Sequence, residues 1–155
     1  MLHSETSLIL TLWPPVQKDW DKISDIISSV FDISYQETYK YCGNDWTNFI
    51  IRLYKFCYEE YEHETHPNIP KMIPKAIFMN KFSNDIRVLE IKIKNPSFNS
   101  YKNGNPYGIS EVKKLKDEIR LSWGHIPRFS VIHSFDTPVR NSNIICFLED
   151  NCRKI

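Results

Sequence analysis

The sequence predicts an α+β domain in which one antiparallel sheet carries helices packed on one face. Two observations support this. Segments of strand period and helix period alternate as β-α-β-α-β-α-β-α, and 155 residues suffice for a single substantial core. Apolar residues at 41% and charged residues at 25% are the balance of a folded globular chain, so residues 1–155 are read as one domain.

Residues 7–12 (Ser-Leu-Ile-Leu-Thr-Leu) are a short apolar run stopped by Pro14-Pro15, the signature of a buried strand. Val16, Trp20, Ile23, Ile27 and Val30 follow at helical spacing with charges between them, which predicts an amphipathic helix over 16–30. Ile33 to Tyr39 alternates and reads as a second strand. Asp45 is placed to cap a helix whose single face holds Trp46, Phe49, Ile50, Leu53, Phe56 and Cys57. Pro67, Pro70 and Pro74 then mark a loop region. Ile86–Lys94 sets Leu89, Ile91 and Ile93 on one face of a third strand. Asn95 to Gly108 reads as a long loop, and Ser110 as the N-cap of a helix using Val112, Leu115 and Ile119. Residues 129–133 form a fourth strand, and Thr137-Pro138 opens a last helix carrying Ile144, Ile145 and Leu148. Two β-α-β halves of this kind suit a ferredoxin-like sandwich; a small doubly wound parallel sheet fits the same alternation.

Composition removes several classes of function. Twenty basic residues against 19 acidic ones leave a net charge of +1, which supplies no overall field for nucleic acid or an acidic membrane. Four glycines are too few for a glycine-rich phosphate loop, so phosphate chemistry here must use side chains or helix ends. Cys42, Cys57, Cys146 and Cys152 include no CxxC pair, and unpaired thiols in a reducing cytoplasm are expected. No stretch nears the roughly 20 apolar residues of a membrane-spanning helix, so a cytoplasmic, membrane-free protein is expected. His63 and His66, three apart in a carboxylate-rich run, read as a solvated helix end, and no metal site is assigned.

The chemistry concentrates near the C-terminus. Val131-Ile132-His133-Ser134-Phe135-Asp136-Thr137-Pro138 places a histidine where a buried strand runs out and a helix begins. A rigid strand fixes such a side chain, and a helix N-terminus beside it favours negative charge. Arg120, at the end of the preceding helix, is a cation for the same end, with Arg128 and Arg140 adding basic density. His133 suits a phosphoryl-accepting nucleophile or a general base, with Asp136 or Ser134 orienting the ring. The plain alternative is a strand-end histidine bonded to a backbone carbonyl, with Arg120 as an ordinary helix-end charge.

The stretch from Ile119 to Asn143 resembles the core of nucleoside diphosphate kinases. There an Ile-Arg-Gly-Asp-Phe segment precedes an Asn-hydrophobic-hydrophobic-His-Gly-Ser-Asp-Ser segment; here Ile119-Arg120-Leu121-Ser122-Trp123 and Ser130 to Thr137 stand for the two. Arg120 lies 13 residues ahead of His133, as in the family. Asn103-Gly104-Asn105-Pro106 echoes that family's Thr-Asn-Pro loop. The resemblance implies a nucleoside-diphosphate-kinase-like fold, a diverged phosphotransferase with His133 at its centre, a nucleotide or phosphorylated small molecule as partner, magnesium carried with the nucleotide, and a possible homo-oligomer. Departures accompany it. Trp13 stands in the place of the family's phosphate-binding lysine, Ser130 replaces an asparagine, Ser134-Phe135 replaces Gly-Ser, and Ile144 sits where a histidine-orienting glutamate belongs. A cation must then come from elsewhere, with Lys18, Arg87 or Arg128 as candidates, and Trp13→Lys is expected to restore it. Trp13 would otherwise stack a base or plug the old phosphate site. Two further readings stay open: a nucleotide-binding module without turnover, and a protein-interaction domain using Tyr58, Tyr61, Tyr101 and Tyr107.

Overall fold

The computed structural model describes residues 4–57, 69–99 and 108–155. Four principal strands are β1 (Glu5–Leu12), β2 (Asp32–Tyr41), β3 (Asp85–Lys94) and β6 (Ile132–Phe135). The short strands are β4 (Phe98–Asn99), β5 (Gly108–Ile109) and β7 (Cys152–Lys154). The helices are α1 (Trp20–Ser28), α2 (Trp46–Tyr54), α3 (Ile69–Asn80), α4 (Ser110–Ser122) and α5 (Asn141–Asn151).

The sheet order is β6-β1-β3-β2-β7, and every pairing in it is antiparallel. This is the ferredoxin-like arrangement of two interlocked β-α-β halves, and it excludes the parallel alternative. β1 and β3 lie at the centre, in register from Glu5 opposite Lys94 to Leu12 opposite Arg87.

Helices cover both faces of the sheet, which corrects the expectation of one covered face. On one side α1 and α4 supply Trp20, Ile23, Ile27, Val112, Leu115 and Ile119 against Leu8, Leu10 and Leu12. On the other, α2, α3 and α5 supply Phe49, Leu53, Ala76, Ile144 and Leu148 against Ile9, Val88 and Phe135. The cause lies in β1. Its last five residues are all buried, because an uninterrupted apolar run has no face to give to water.

Local chemistry explains most element ends. The Asp45 side chain accepts a hydrogen bond from the Asn48 backbone N–H at 3.1 Å, satisfying one orphan donor at the start of α2 as its position predicts. Residues 14–19 form a 3-10 turn instead of the first turn of a single helix, since Pro14 and Pro15 stand there. Ser110 does not cap α4. It is the first helical residue, and the Glu111 carboxylate instead accepts from the Ser97 N–H at 3.1 and 3.2 Å.

Four further elements depart from the expectation. The fourth strand spans Ile132–Phe135 and not residues 129–133, because residues 128–130 form a 3-10 turn, so His133 is the second residue of β6 and not the point where it runs out. The loop marked by Pro67, Pro70 and Pro74 contains α3, with Pro74 inside it. Within the stretch from Asn95 to Gly108 lies the start of a ribbon in which Phe98–Asn99 pairs with Gly108–Ile109. A terminal strand, β7, pairs with β2 beyond the last helix. Among the described residues no helix is long and apolar enough to cross a membrane. All four cysteines are unpaired.

Candidate functional site

β6 is the outer strand next to β1. The Trp13 N–H donates to the Val131 carbonyl at 3.2 Å, and the register continues with Thr11 opposite His133 and Ile9 opposite Phe135. Antiparallel alternation therefore turns the polar backbone of Ile132 away from β1, toward the free edge. There Arg120 Nη2 donates to the Ile132 carbonyl at 2.9 Å. The arginine thus closes an open sheet edge and lies beside the residue that precedes His133.

Side chains alternate as well. Ile132 faces the α1–α4 side, whereas Phe135 faces α2 and α3 together with Ile9 and Trp13. His133 shares the second side. Its ring lies 4.6 Å from the Tyr54 ring and 4.7 Å from the Phe135 ring. Its Nε2 is 3.1 Å from Cys57 Sγ. The histidine is half-buried, with no bond to a backbone carbonyl among the described residues, so the plain strand-end arrangement is not the one seen.

Electrostatics around the ring are one-sided. Burial first, then Lys116, Arg120 and Lys75, hold the imidazole well below the ordinary histidine range. Lys116 is buried on α4 and its Nζ donates to Ser134 Oγ at 2.6 Å; that hydroxyl donates in turn to Asp136 Oδ1 at 3.0 Å. Burial lowers the Lys116 pKa while Asp136 raises it. Lys75, on α3, lies 5.5 Å from the Phe129 ring centre, and burial followed by Lys71 and Arg120 lowers its pKa.

The residues singled out in the sequence separate into two groups. His133 and Trp13 both lie against Tyr54, on which Trp13 stacks at 5.9 Å with 0% exposure, while Ser134 faces the α4 side of the sheet and Arg120 holds the edge at Ile132. Ser134 and Asp136 engage Lys116, whereas the imidazole engages Cys57. Arg128 is drawn to Asp117 at 3.0 Å on an exposed surface. Arg140 sits in the turn after Thr137, half-buried. Thr137 does not cap the last helix; its hydroxyl donates to the Phe56 carbonyl at 3.2 Å. Of the other candidate cations, Arg87 pairs with Asp21, and Lys18 lines a cleft of about 340 Å³ with Trp123 and His125. His63, His66, Asn103-Gly104-Asn105-Pro106 and the four tyrosines proposed as contacts lie outside the described residues.

Sequence reasoning missed Lys116, Lys75 and Cys57 as members of this site. Lys116 carried a signal: it falls on the stripe Val112, Leu115, Lys116, Ile119, where a lysine interrupts a buried helix face. Cys57 ended the apolar stripe of α2. Lys75 was hidden by the prolines around it.

The neutral state of His133 gives a pH prediction. A base whose folded pKa lies below its unfolded value contributes fully above the unfolded value, near pH 6.5. Its contribution falls as pH drops toward the folded value, because only the unfolded chain takes up the proton. Thermal melting should therefore decline below about pH 6.5, and His133→Gln should flatten that part of the curve. An unchanged slope in the variant would show that other groups set it.

No family model and no curated protein matches this chain. Among solved structures it is similar to the nucleoside diphosphate kinase of Aquifex aeolicus, at 15% identity and a TM-score of 0.51, covering 93% of this chain and 94% of that one. It is also similar to the NDP kinase of Pyrobaculum aerophilum, at 12% identity and a TM-score of 0.42, covering 96% and 98%. The chain has a nucleoside-diphosphate-kinase-like α+β fold.

Proposed function

We propose that this domain binds a nucleotide or another phosphorylated small molecule at the His133 end of β6, and that His133 accepts or helps transfer its phosphoryl group. The observation that carries the reading is that half-buried His133 stands on the rigid strand β6 with cations on both neighbouring residues, Arg120 at 2.9 Å from the Ile132 carbonyl and Lys116 at 2.6 Å from Ser134 Oγ. Cations gathered at moderate burial favour a multiply charged anion, and a neutral imidazole keeps a lone pair at pH 7. The resemblance around His133 and Arg120 points to the same chemistry.

In this reading Arg120 clamps a phosphate through its fork of N–H donors, and Lys116 and Lys75 supply the field that the family's lysine supplies elsewhere. Ser134 and Asp136 hold Lys116 in place and act on the imidazole only through it. A ring nitrogen donates its lone pair to phosphorus, and the P–O bond to the leaving diphosphate breaks with its electrons on oxygen. Among the described residues no three His, Cys, Asp or Glu side chains gather to hold a metal. Magnesium, as the resemblance implies, would enter as part of the substrate, on the nucleotide's own phosphates.

The complete burial of Trp13 favours one second reading, a binding module without turnover. A fully buried indole cannot stack a nucleobase, so of its two expected roles only the plug is compatible with this packing.

Nucleotide binding is tested by melting with and without magnesium–nucleoside triphosphate. A ligand at a hundred times its Kd stabilises by about 2.7 kcal/mol, which raises Tm by roughly 5 to 10 °C in a domain of this size. The shift should vanish in Arg120→Ala. A wild-type protein indifferent to nucleoside di- and triphosphates would end the nucleotide reading.

A further inference from the structure

The end of α2 is clamped onto the strand that carries His133. The turn Lys55–Cys57 continues α2 past Tyr54, and three contacts tie it down. The Tyr54 ring lies against the imidazole at 4.6 Å, the Phe56 carbonyl accepts from Thr137 Oγ1 at 3.2 Å, and the Phe56 ring meets Phe147 of α5 at 5.5 Å. The Phe135 ring meets the imidazole edge-on, 4.7 Å away and at 87° to it. In this clamp Cys57 Sγ stands 3.1 Å from Nε2, while Nδ1 makes no hydrogen bond among the described residues. Ile144, which occupies the position of an expected orienting glutamate, is fully buried in the core and offers the ring no polar group.

We infer that Cys57 is the positioning residue of His133: its sulfur accepts the Nε2 proton and so presents Nδ1, with its lone pair, as the reacting nitrogen. Burial keeps Cys57 a neutral thiol, so the contact adds no charge to the ring. Attack through Nδ1 forms the N–P bond and breaks the P–O bond to the leaving group. The Nε2 proton stays in place, held by the N–H···S contact, and the positive charge that develops stays on the imidazolium ring. The last clause rests on the function proposed above; the choice of tautomer does not.

Two measurements separate those claims. Ring 15N spectra of the whole protein should show His133 as a single Nε2–H tautomer in the wild type and in Cys57→Ser, and as a mixture in Cys57→Ala. Phosphoramidate, a small phosphoryl donor that needs no nucleotide site, should label the wild type at Nδ1, read by 31P shift. In Cys57→Ala labelling should slow about tenfold and divide between the two nitrogens, with Cys57→Ser restoring both rate and selectivity. Melting within a few degrees of wild type, or otherwise the serine variant alone, secures the comparison. An Nδ1–H tautomer in the wild type, or an unchanged tautomer and selectivity in Cys57→Ala, overturns the inference. A tautomer change without any labelling supports the positioning role and removes the phosphoryl-transfer reading.

Discussion

Trp13→Lys should destabilise the protein by about 3–5 kcal/mol rather than restore a phosphate-binding cation. Trp13 is 0% exposed, stacks on Tyr54, and has an indole Nε1 without a hydrogen-bond partner. A buried donor left unpaired is tolerated because the ring's volume matters more than its polarity. Lysine leaves part of that volume empty and places a charge among the aromatic and aliphatic side chains of the core formed by α2, α3 and α5. Burying an unpaired ammonium adds to the cavity cost. The backbone bonds of Trp13, to the Val131 carbonyl and from Trp20 Nε1 at 3.0 Å, do not depend on its side chain. The effect therefore reads packing and charge alone. Melting should fall by roughly 10 °C, against a total stability of about 5–15 kcal/mol, with Trp13→Phe losing much less. A lysine variant that melts like wild type would show that the site has room for the cation after all.

Arg120→Ala should slow phosphoryl transfer to the protein about a hundredfold, since removing one donor to developing charge costs roughly 3 kcal/mol. The same change leaves the Ile132 carbonyl on the sheet edge without its 2.9 Å partner, so melting should also fall by a few degrees. The two effects separate with Arg120→Lys. That variant keeps the charge and loses the planar fork, so it should recover part of the rate while leaving the edge poorly capped. Equal rates in wild type and alanine variant would leave Arg120 as an edge cap and nothing more.

The fold was legible where the pattern of apolar residues has one physical solution. The alternating strand at Ile86–Lys94 and the stripe on α2 with its Asp45 cap translate directly into β3 and α2. The run at residues 7–12 also held the information that both faces are covered, since its apolar side chains cannot all point one way. α3 was not legible because Pro70 and Pro74 are local helix breakers; Pro70 sits in the first turn, where no N–H is needed, and burial of Met72, Ala76 and Met79 outweighs Pro74. β7 is three residues long and pairs only through β2, so nothing local announces it.

The site divides the same way. His133, Arg120, Ser134 and Asp136 lie on or beside one short strand and the helix before it, which are short-range features. Cys57 meets His133 only through the packing of α2 on the sheet. No spacing in the chain encodes that distance. Lys116 lies between the two cases, since its place on a buried helix stripe marks it as special without saying what it serves.

The role proposed for His133, on the edge strand β6, is to accept a phosphoryl group. It is tested most directly by brief incubation of the wild-type protein with magnesium and a nucleoside triphosphate labelled at the γ-phosphate. The expected label is lost in acid and kept in base, as a phosphoramidate is, maps to His133, and is absent from a normally folded His133→Ala. A wild-type protein that binds the nucleotide, shifts its melting, and still carries no label would contradict it.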